Sequence, residues 1–426
     1  MADSDSRETA ATLCRQCTSL SGHTRTSSPD EPQPRTVCAA ALRLAWGGSA
    51  HGVAVLTERT SASTRELDSW QQPELPGLIR RWFELEIGTA VEENFGVKTA
   101  RFWHQHEGGK VQCDLCPHRC VLSEGKAGIC KVRRAVGGEL QAVGHGLISS
   151  AHLDPIEKKP LYHFYPGAEI LSIGGWGCNL VCVFCQNWTI SQQIQEEGTR
   201  YDPSEIAKQS GMGGSIGIAY TYNEPLIAFE FVSECARLVK AAGRVNVLVT
   251  NGYVLPEPAA ELLPWIDALN IDIKSMEDEF YRRHCHGSLQ PVLDFSKQSV
   301  QAGCHVEITN LLIPSLNDSA ENIAALAAWI ADNLGEDIPL HLSAYHPMYK
   351  CKIPGTPVST LEKAYEICRR KLRFVYLGNV YTEHGRNTVC PGCGALLIRR
   401  RGYASEIVAL QDGACSQCGR PANVVM

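Results

Sequence analysis

Short apolar, β-rich runs recur through the middle of the chain, each followed by a stretch with helical periodicity. The runs are Glu169–Ile173, Ser215–Tyr220, Asn246–Thr250, Ala268–Ile273, His305–Ile313, Pro339–Ala344 and Arg373–Leu377. Helical patterns lie between them, among them Ile227–Ala241, Glu257–Trp265, Ser319–Asn333 and Thr360–Lys371. Strands alternating with helices predict βαβ units and a parallel sheet. The expected fold class is α/β, with a partial or full (β/α) barrel over residues 166–384. A doubly wound open sheet is the alternative. In a barrel, reactive groups belong on the loops after the C-terminal ends of the strands.

The flanks read differently. Residues 1–98 form an N-terminal extension that is Ser-, Thr- and Pro-rich at its start and expected to be largely disordered. Within it, Leu78, Ile79, Trp82, Phe83 and Ile87 stand at helical spacing. Residues 99–165 and 385–426 look like small cysteine-rich modules. No apolar run is long enough for a transmembrane helix, and no signal-peptide pattern stands at the start. The net charge of −6 and the absence of a basic stripe argue against nucleic-acid or membrane partners.

Nineteen cysteines are an odd number, so they cannot all pair within one chain. Without a secretory signal the expected compartment is the reducing cytoplasm, where clustered cysteines bind metal or do redox chemistry. Three groups stand out. Cys113, Cys116, Cys120 and Cys130 form C-x2-C-x3-C-x9-C; Cys178, Cys182 and Cys185 form C-x3-C-x2-C; Cys390, Cys393, Cys415 and Cys418 form C-x2-C-x21-C-x2-C. Cys14 and Cys17 make a further, isolated C-x2-C pair, and most other cysteines read as small buried residues.

The middle group sits in GGWGCNLVCVFCQN, just after the first strand. Three thiolates are one too few for a closed tetrahedral zinc site or a fully ligated 4Fe-4S cluster. An open coordination position marks a reactive site. A zinc site completed by a distant His or Cys is the competing reading. This C-x3-C-x2-C after a barrel's first strand, with Phe184 before the last cysteine, resembles the radical S-adenosylmethionine (SAM) superfamily. The resemblance implies a 4Fe-4S cluster on the three cysteines, chelation of its open iron by SAM, and reductive cleavage of SAM to a 5′-deoxyadenosyl radical.

Further motifs extend the resemblance. TYNEP (221–225) occupies the place of the superfamily's Gly-Gly-Glu motif, which makes Glu224 the candidate for the SAM amino group, with Asn223 replacing the usual Gly. TNGY (250–253) and IDIK (271–274) add Asn251, Asp272 and Lys274 as candidate SAM contacts. More narrowly, residues 99–426 resemble the radical SAM enzymes of the AmmeMemoRadiSam system, relatives of the pyruvate formate-lyase activating enzymes. That likeness rests on CDLCPHRCVLSEGKAGICKVR (113–133), DPIEKKPLYHFYPG (154–167), LLIPSLNDS (311–319), HLSAYHP (341–347) and the terminal CPGCG and CSQCG. It implies a one-electron donor such as flavodoxin or ferredoxin, and Memo-type and AMMECR-type partner proteins.

The C-terminal group reads as a structural zinc ribbon, with an iron site as the alternative. The N-terminal group lacks ferredoxin spacing, and zinc is favoured there over a second cluster. Glu157, Lys158, Lys159, His163, His341, Tyr345 and His346 are candidate substrate-handling groups. The run Arg282-Arg283-His284-Cys285-His286 reads as a solvated loop. Two other functions stay open: an activase that installs a glycyl radical on a partner, and a non-enzymatic zinc adaptor.

Overall fold

The computed structural model describes residues 98–426. The expected N-terminal extension, apart from its last residue, lies outside the described residues, as do its helix and the Cys14/Cys17 pair. The described chain opens with two small antiparallel sheets. Strands β1 (Lys98–Thr99), β5 (Arg133–Val136) and β6 (Glu139–Ala142) form one, in the order β1-β6-β5; β2 (Trp103–His106), β3 (Lys110–Cys113) and β4 (Val121–Leu122) form the other.

An eight-stranded sheet follows. Its strands are β7 (Ser150–Pro155), β8 (Glu169–Gly174), β9 (Gly217–Tyr220), β10 (Val245–Thr250), β11 (Ala268–Asp272), β12 (His305–Leu312), β13 (Leu340–Ala344) and β14 (Val375–Gly378). They lie side by side in sequence order, and every pair from β8 to β14 is parallel. That order has no reversal point and excludes the doubly wound sheet. The edges β7 and β14 do not pair with each other, so the barrel is partial. Helices α1 (Pro203–Gln209), α2 (Phe229–Ala241), α3 (Pro256–Leu262), α4 (Gln290–Gln301), α5 (Ala320–Asn333) and α6 (Val358–Cys368) supply the crossovers. Local chemistry sets where they start: Asp202 and Glu205 form a capping box on α1, and Ser319 caps α5.

Strand β7 was not foreseen. It runs antiparallel to β8 from Ser150↔Gly174 to Pro155↔Glu169, so the expected boundary at 165/166 falls inside the sheet. The chain between them, Ile156 to Tyr165, packs on the concave face. Ile156, Leu161 and Phe164 cluster with Ile170, Ala219, Val247 and Ala268 from β8 to β11. The same segment bonds to Glu307 on β12 and Tyr376 on β14. In a flat sheet β8 and β14 would stand ~29 Å apart, six strand spacings. One ten-residue segment reaches both because the sheet curls around it. The outward residues of the same strands, such as Leu171, Ile218, Leu248 and Leu269, pack with the helices in the main core. Both sheet faces are covered, which is why the parallel strands read as apolar runs rather than alternating ones.

The chain ends in β15 (Thr388–Val389), β16 (Leu396–Arg401), β17 (Ala404–Ile407), β18 (Leu410–Gln411) and β19 (Ala414–Cys415). No described helix is long and apolar enough to cross a membrane.

Candidate active site

Strand β8 ends at Gly174 and runs into the cysteine loop. Gly177 has φ +80°, and a Cβ there would stand 2.2 Å from the Cys130 carbonyl oxygen, so no side chain fits. Gly174 is needed for space instead, since its Cβ would meet the Tyr222 ring at 2.9 Å. Asn223 clamps the turn. Its Nδ2 donates to the carbonyls of Trp176 (3.1 Å) and Gly177 (3.0 Å), and its Oδ1 accepts from the Gly175 N–H (2.8 Å). Both donors and one acceptor position of this side chain are used on the loop, which leaves one acceptor position on Oδ1.

The loop presents Cys178, Cys182 and Cys185. Cys178 Sγ accepts from the Leu180 N–H (3.3 Å) and from Asn251 Nδ2 (3.5 Å); Cys185 Sγ lies 3.1 Å from Ser191 Oγ. Burial raises the thiols of Cys178 and Cys185. Cys182 goes the other way: a hydrogen bond from the Cys285 thiol, reinforced by the Lys274 ammonium, favours its thiolate despite burial. Cys285 was missed by sequence reasoning. The run containing it is not a loop but a π-helical turn, Tyr281–Cys285, with Tyr281 and Cys285 buried. Its carbonyls brace the cysteine loop, Val181 N–H donating to Cys285 (2.9 Å) and Val183 N–H to His284 (3.0 Å). No local pattern reports that pairing, because the two segments are about a hundred residues apart.

The neighbouring strand ends converge on the same place. Glu224 is buried, and burial pushes its carboxyl up to about 7. Its oxygens accept from Leu226 N–H (2.9 Å), Thr250 Oγ1 (2.7 Å) and Asn251 N–H (2.8 Å), so three of roughly four acceptor positions are filled. Asn251 also donates to Asn179 Oδ1 (3.0 Å). Lys274 Nζ pairs with Asp272 Oδ2 at 2.9 Å, and that pairing keeps the ammonium charged against its burial. Phe184 is buried against Phe280, with ring centroids 5.8 Å apart, so its side chain packs in the core.

The candidate substrate groups lie elsewhere. His341 is at the N-terminal end of β13, the far end of the sheet from the cysteine loop. Its Nε2 is 2.6 Å from Glu307 Oε2. Glu307 also takes His305 Nε2 (3.1 Å) and the N–H groups of Tyr162 (3.0 Å) and His163 (2.7 Å). His163 bonds the Tyr376 hydroxyl at 2.6 Å, and that hydroxyl meets Thr388 Oγ1 at 2.7 Å. Glu157 accepts from Gly167 N–H (2.8 Å) and Ser405 Oγ (2.5 Å). Lys158 and Lys159 pair with Asp154 at 2.8 and 2.7 Å, and Tyr222 donates to the same carboxylate at 2.6 Å. The Tyr345 hydroxyl donates to the Cys351 carbonyl at 3.0 Å, and His346 is exposed. Most of these groups therefore seal the barrel floor and seat the C-terminal strands rather than face the cysteines.

The C-terminal cysteines sit on two matching turns. Cys390 N–H donates to Ala395 and Cys415 N–H to Arg420, while Gly394 and Gly419 close each turn at φ +78° and +74°. Cys390 and Cys418 Sγ are 3.6 Å apart, as are Cys393 and Cys415 Sγ. Four sulfurs at the corners of a Zn–S tetrahedron stand ~3.8 Å apart. This quartet is the one group of three or more His, Cys, Asp or Glu among the described residues whose ligand atoms all lie within 4.8 Å of one another. The loop cysteines do not meet that test. The loop thiols stand further apart than that quartet, with Cys285 as a further thiol beside Cys182.

Residues 173–327 match the model of the radical SAM superfamily. An uncharacterised protein of Methanocaldococcus jannaschii is 40% identical over 336 residues, covering 78% of this chain and all of that protein. A pyruvate formate-lyase-activating enzyme of Clostridium pasteurianum is 28% identical over 182 residues, 40% of this chain and 73% of its own. A solved radical SAM methyltransferase of Sphaerobacter thermophilus aligns with 55% of this chain and 71% of its own at 17% identity and a TM-score of 0.41. The chain belongs to the radical SAM superfamily and is related to the pyruvate formate-lyase activating enzymes.

Proposed function

We propose that the protein cleaves SAM reductively at a 4Fe-4S cluster held by Cys178, Cys182 and Cys185, and abstracts hydrogen from a substrate still to be identified. The observation that carries this reading is the convergence of three sulfurs from one loop with Asn251, Glu224 and Lys274 from the next strand ends. When bound, the cluster supplies one electron that splits SAM into methionine and a 5′-deoxyadenosyl radical. The chain's own residues hold and shield it. Asn223 fixes the loop, Asn251 donates to Cys178, and the Lys274 ammonium favours the Cys182 thiolate. Glu224 has one acceptor position left for an ammonium such as that of SAM, and Asp272, paired with Lys274, offers a further carboxylate. Asp154 joins Lys159 and the Tyr222 hydroxyl in one bonded cluster.

Within this reading the C-terminal quartet holds structural zinc, the electron comes from a flavodoxin- or ferredoxin-type donor, and the protein works in the cytoplasm. It is an enzyme of the AmmeMemoRadiSam type that meets Memo-type and AMMECR-type proteins. The second reading, a glycyl-radical activase, is favoured by the activating enzymes among its relatives. The test is anaerobic reconstitution, then dithionite and SAM. Release of 5′-deoxyadenosine supports the proposal, and its loss in Cys178, Cys182 or Cys185→Ala ties it to the loop. A colourless protein that leaves SAM intact favours the zinc adaptor.

A further inference from the structure

Cys113, Cys116, Cys120 and Cys130 line one small pocket. No three of these sulfurs lie within 4.8 Å of one another, whereas the C-terminal four all do. A single zinc needs sulfurs ~3.8 Å apart, since each Zn–S bond is about 2.3 Å. One chain thus contains both a compact quartet and a spread one. Four thiols on one pocket, no three of them within 4.8 Å of one another, fit a cube of iron and sulfide, with one thiolate at each iron corner.

The walls of the cavity support this. Leu115, Leu122, Ile129 and Ile227 make it apolar, and Cys113 and Cys130 are buried. Arg133 also lines it, with its side chain 1% exposed. Its terminal nitrogens are satisfied by Glu230 and the Arg101 carbonyl, but its buried Nε–H has no partner. An unmet buried donor is costly, because it gives up its bond to water without a replacement. A sulfide or thiolate of an anionic cluster would accept that hydrogen, and the Cys113 sulfur already stands against this guanidinium.

We infer that Cys113, Cys116, Cys120 and Cys130 bind a second 4Fe-4S cluster rather than zinc, with the Arg133 Nε–H directed at its sulfur. Four protein thiolates leave no open iron, so SAM does not bind there. The cluster stands beside the first: the Cys130 carbonyl packs on Gly177, and His118 Nε2 is 2.7 Å from the Asn179 carbonyl oxygen.

The test does not depend on SAM chemistry. The full chain with Cys178, Cys182 and Cys185 all changed to Ala is reconstituted anaerobically with iron and sulfide, and its iron, sulfide and zinc are counted. The inference expects about four irons and four sulfides per chain, a reduced-cluster EPR signal that SAM does not perturb, and zinc at the C-terminal quartet alone. No iron and a second equivalent of zinc would overturn it. Should that variant fail to fold, Cys116→Ser/Cys130→Ser in the otherwise intact chain gives the same answer. It is expected to hold about half the iron of the native chain, and unchanged iron would overturn the inference. Retained iron in the triple variant with no SAM cleavage by the native chain would remove the proposed function and leave this inference standing.

Discussion

The side-chain amide of Asn251 donates to the sulfur of Cys178 across 3.5 Å. Hydrogen bonds to cluster sulfur stabilise the reduced, more negative state and raise the potential. Asn251→Ala is therefore expected to lower the potential of the loop cluster by tens of mV, since ~1 kcal/mol corresponds to roughly 40 mV for one electron. An EPR redox titration reads the shift. An unchanged potential would assign Asn251 to loop packing alone.

Glu224 gathers donors from its own helical turn and from β10. Glu224→Gln keeps the shape but turns an NH2 toward at least one donor. The expected loss is about 1–3 kcal/mol of stability, with SAM affinity reduced as well. Chemical denaturation checks the first and equilibrium SAM binding the second.

Gly177→Ala should be far more damaging than its one methyl suggests. The added carbon would meet the Cys130 carbonyl at 2.2 Å, and φ is +80°. The cysteine loop must then move, and SAM cleavage is expected to fall about tenfold or more, equivalent to at least ~1.4 kcal/mol in the barrier. A Gly175→Ala chain, where φ is ordinary and the nearest atom is 3.4 Å away, is expected to lose less.

His163 gives the barrel floor a pH dependence. Its Nδ1 faces the Asn423 carbonyl at 3.2 Å, which can only accept, so Nδ1 carries the proton and Nε2 accepts from Tyr376. Burial pushes its pKa down to about 3. The unfolded chain takes up this proton below about 6.5 and the folded chain does not until about 3. Stability therefore falls as pH drops through that window and is unaffected by this group above it. His163→Gln should flatten the slope of unfolding free energy against pH by up to about 1.4 kcal/mol per unit, the weight of one proton. Urea titrations at several pH values would show it.

Loss of the zinc proposed for the C-terminal quartet should act at the barrel floor. Arg400 on β16 donates to Thr388 Oγ1 (2.8 Å) and the Tyr162 carbonyl (2.7 Å), and its guanidinium lies 4.2 Å from the Tyr162 ring centroid. Cys390→Ser is expected to abolish metal binding at the quartet and loosen this contact. Hydrogen exchange should then rise over 388–401 and 160–165. Unchanged protection there would separate the ribbon from the floor.

Much of this was visible before any coordinates. The seven parallel strands emerged within a residue or two of their observed ends, because each is a short apolar run bounded by turns. The cysteine loop was equally plain. What misled was position. His341 and His163 sit beside strands, yet they serve the sealed end of the barrel, and the side of a strand end is set by its neighbours. Asn223 stands in the TYNEP motif, and only the folded chain shows its amide bonding Trp176, Gly177 and Gly175.

By itself the sequence determined what depends on neighbours within a few residues: strand and helix periodicity, the glycine-lined loop, and the two C-terminal knuckles with their closing glycines. The tertiary structure alone decided what depends on residues far apart. It paired β7 with β8 in reverse, folded Ile156–Tyr165 into the concave face, and set Cys285 beside Cys182. It also set the spacing of sulfurs in each quartet, compact in one and spread in the other. Ligand spacing along a chain fixes which residues can meet; the distance at which they meet is fixed by the packing that surrounds them.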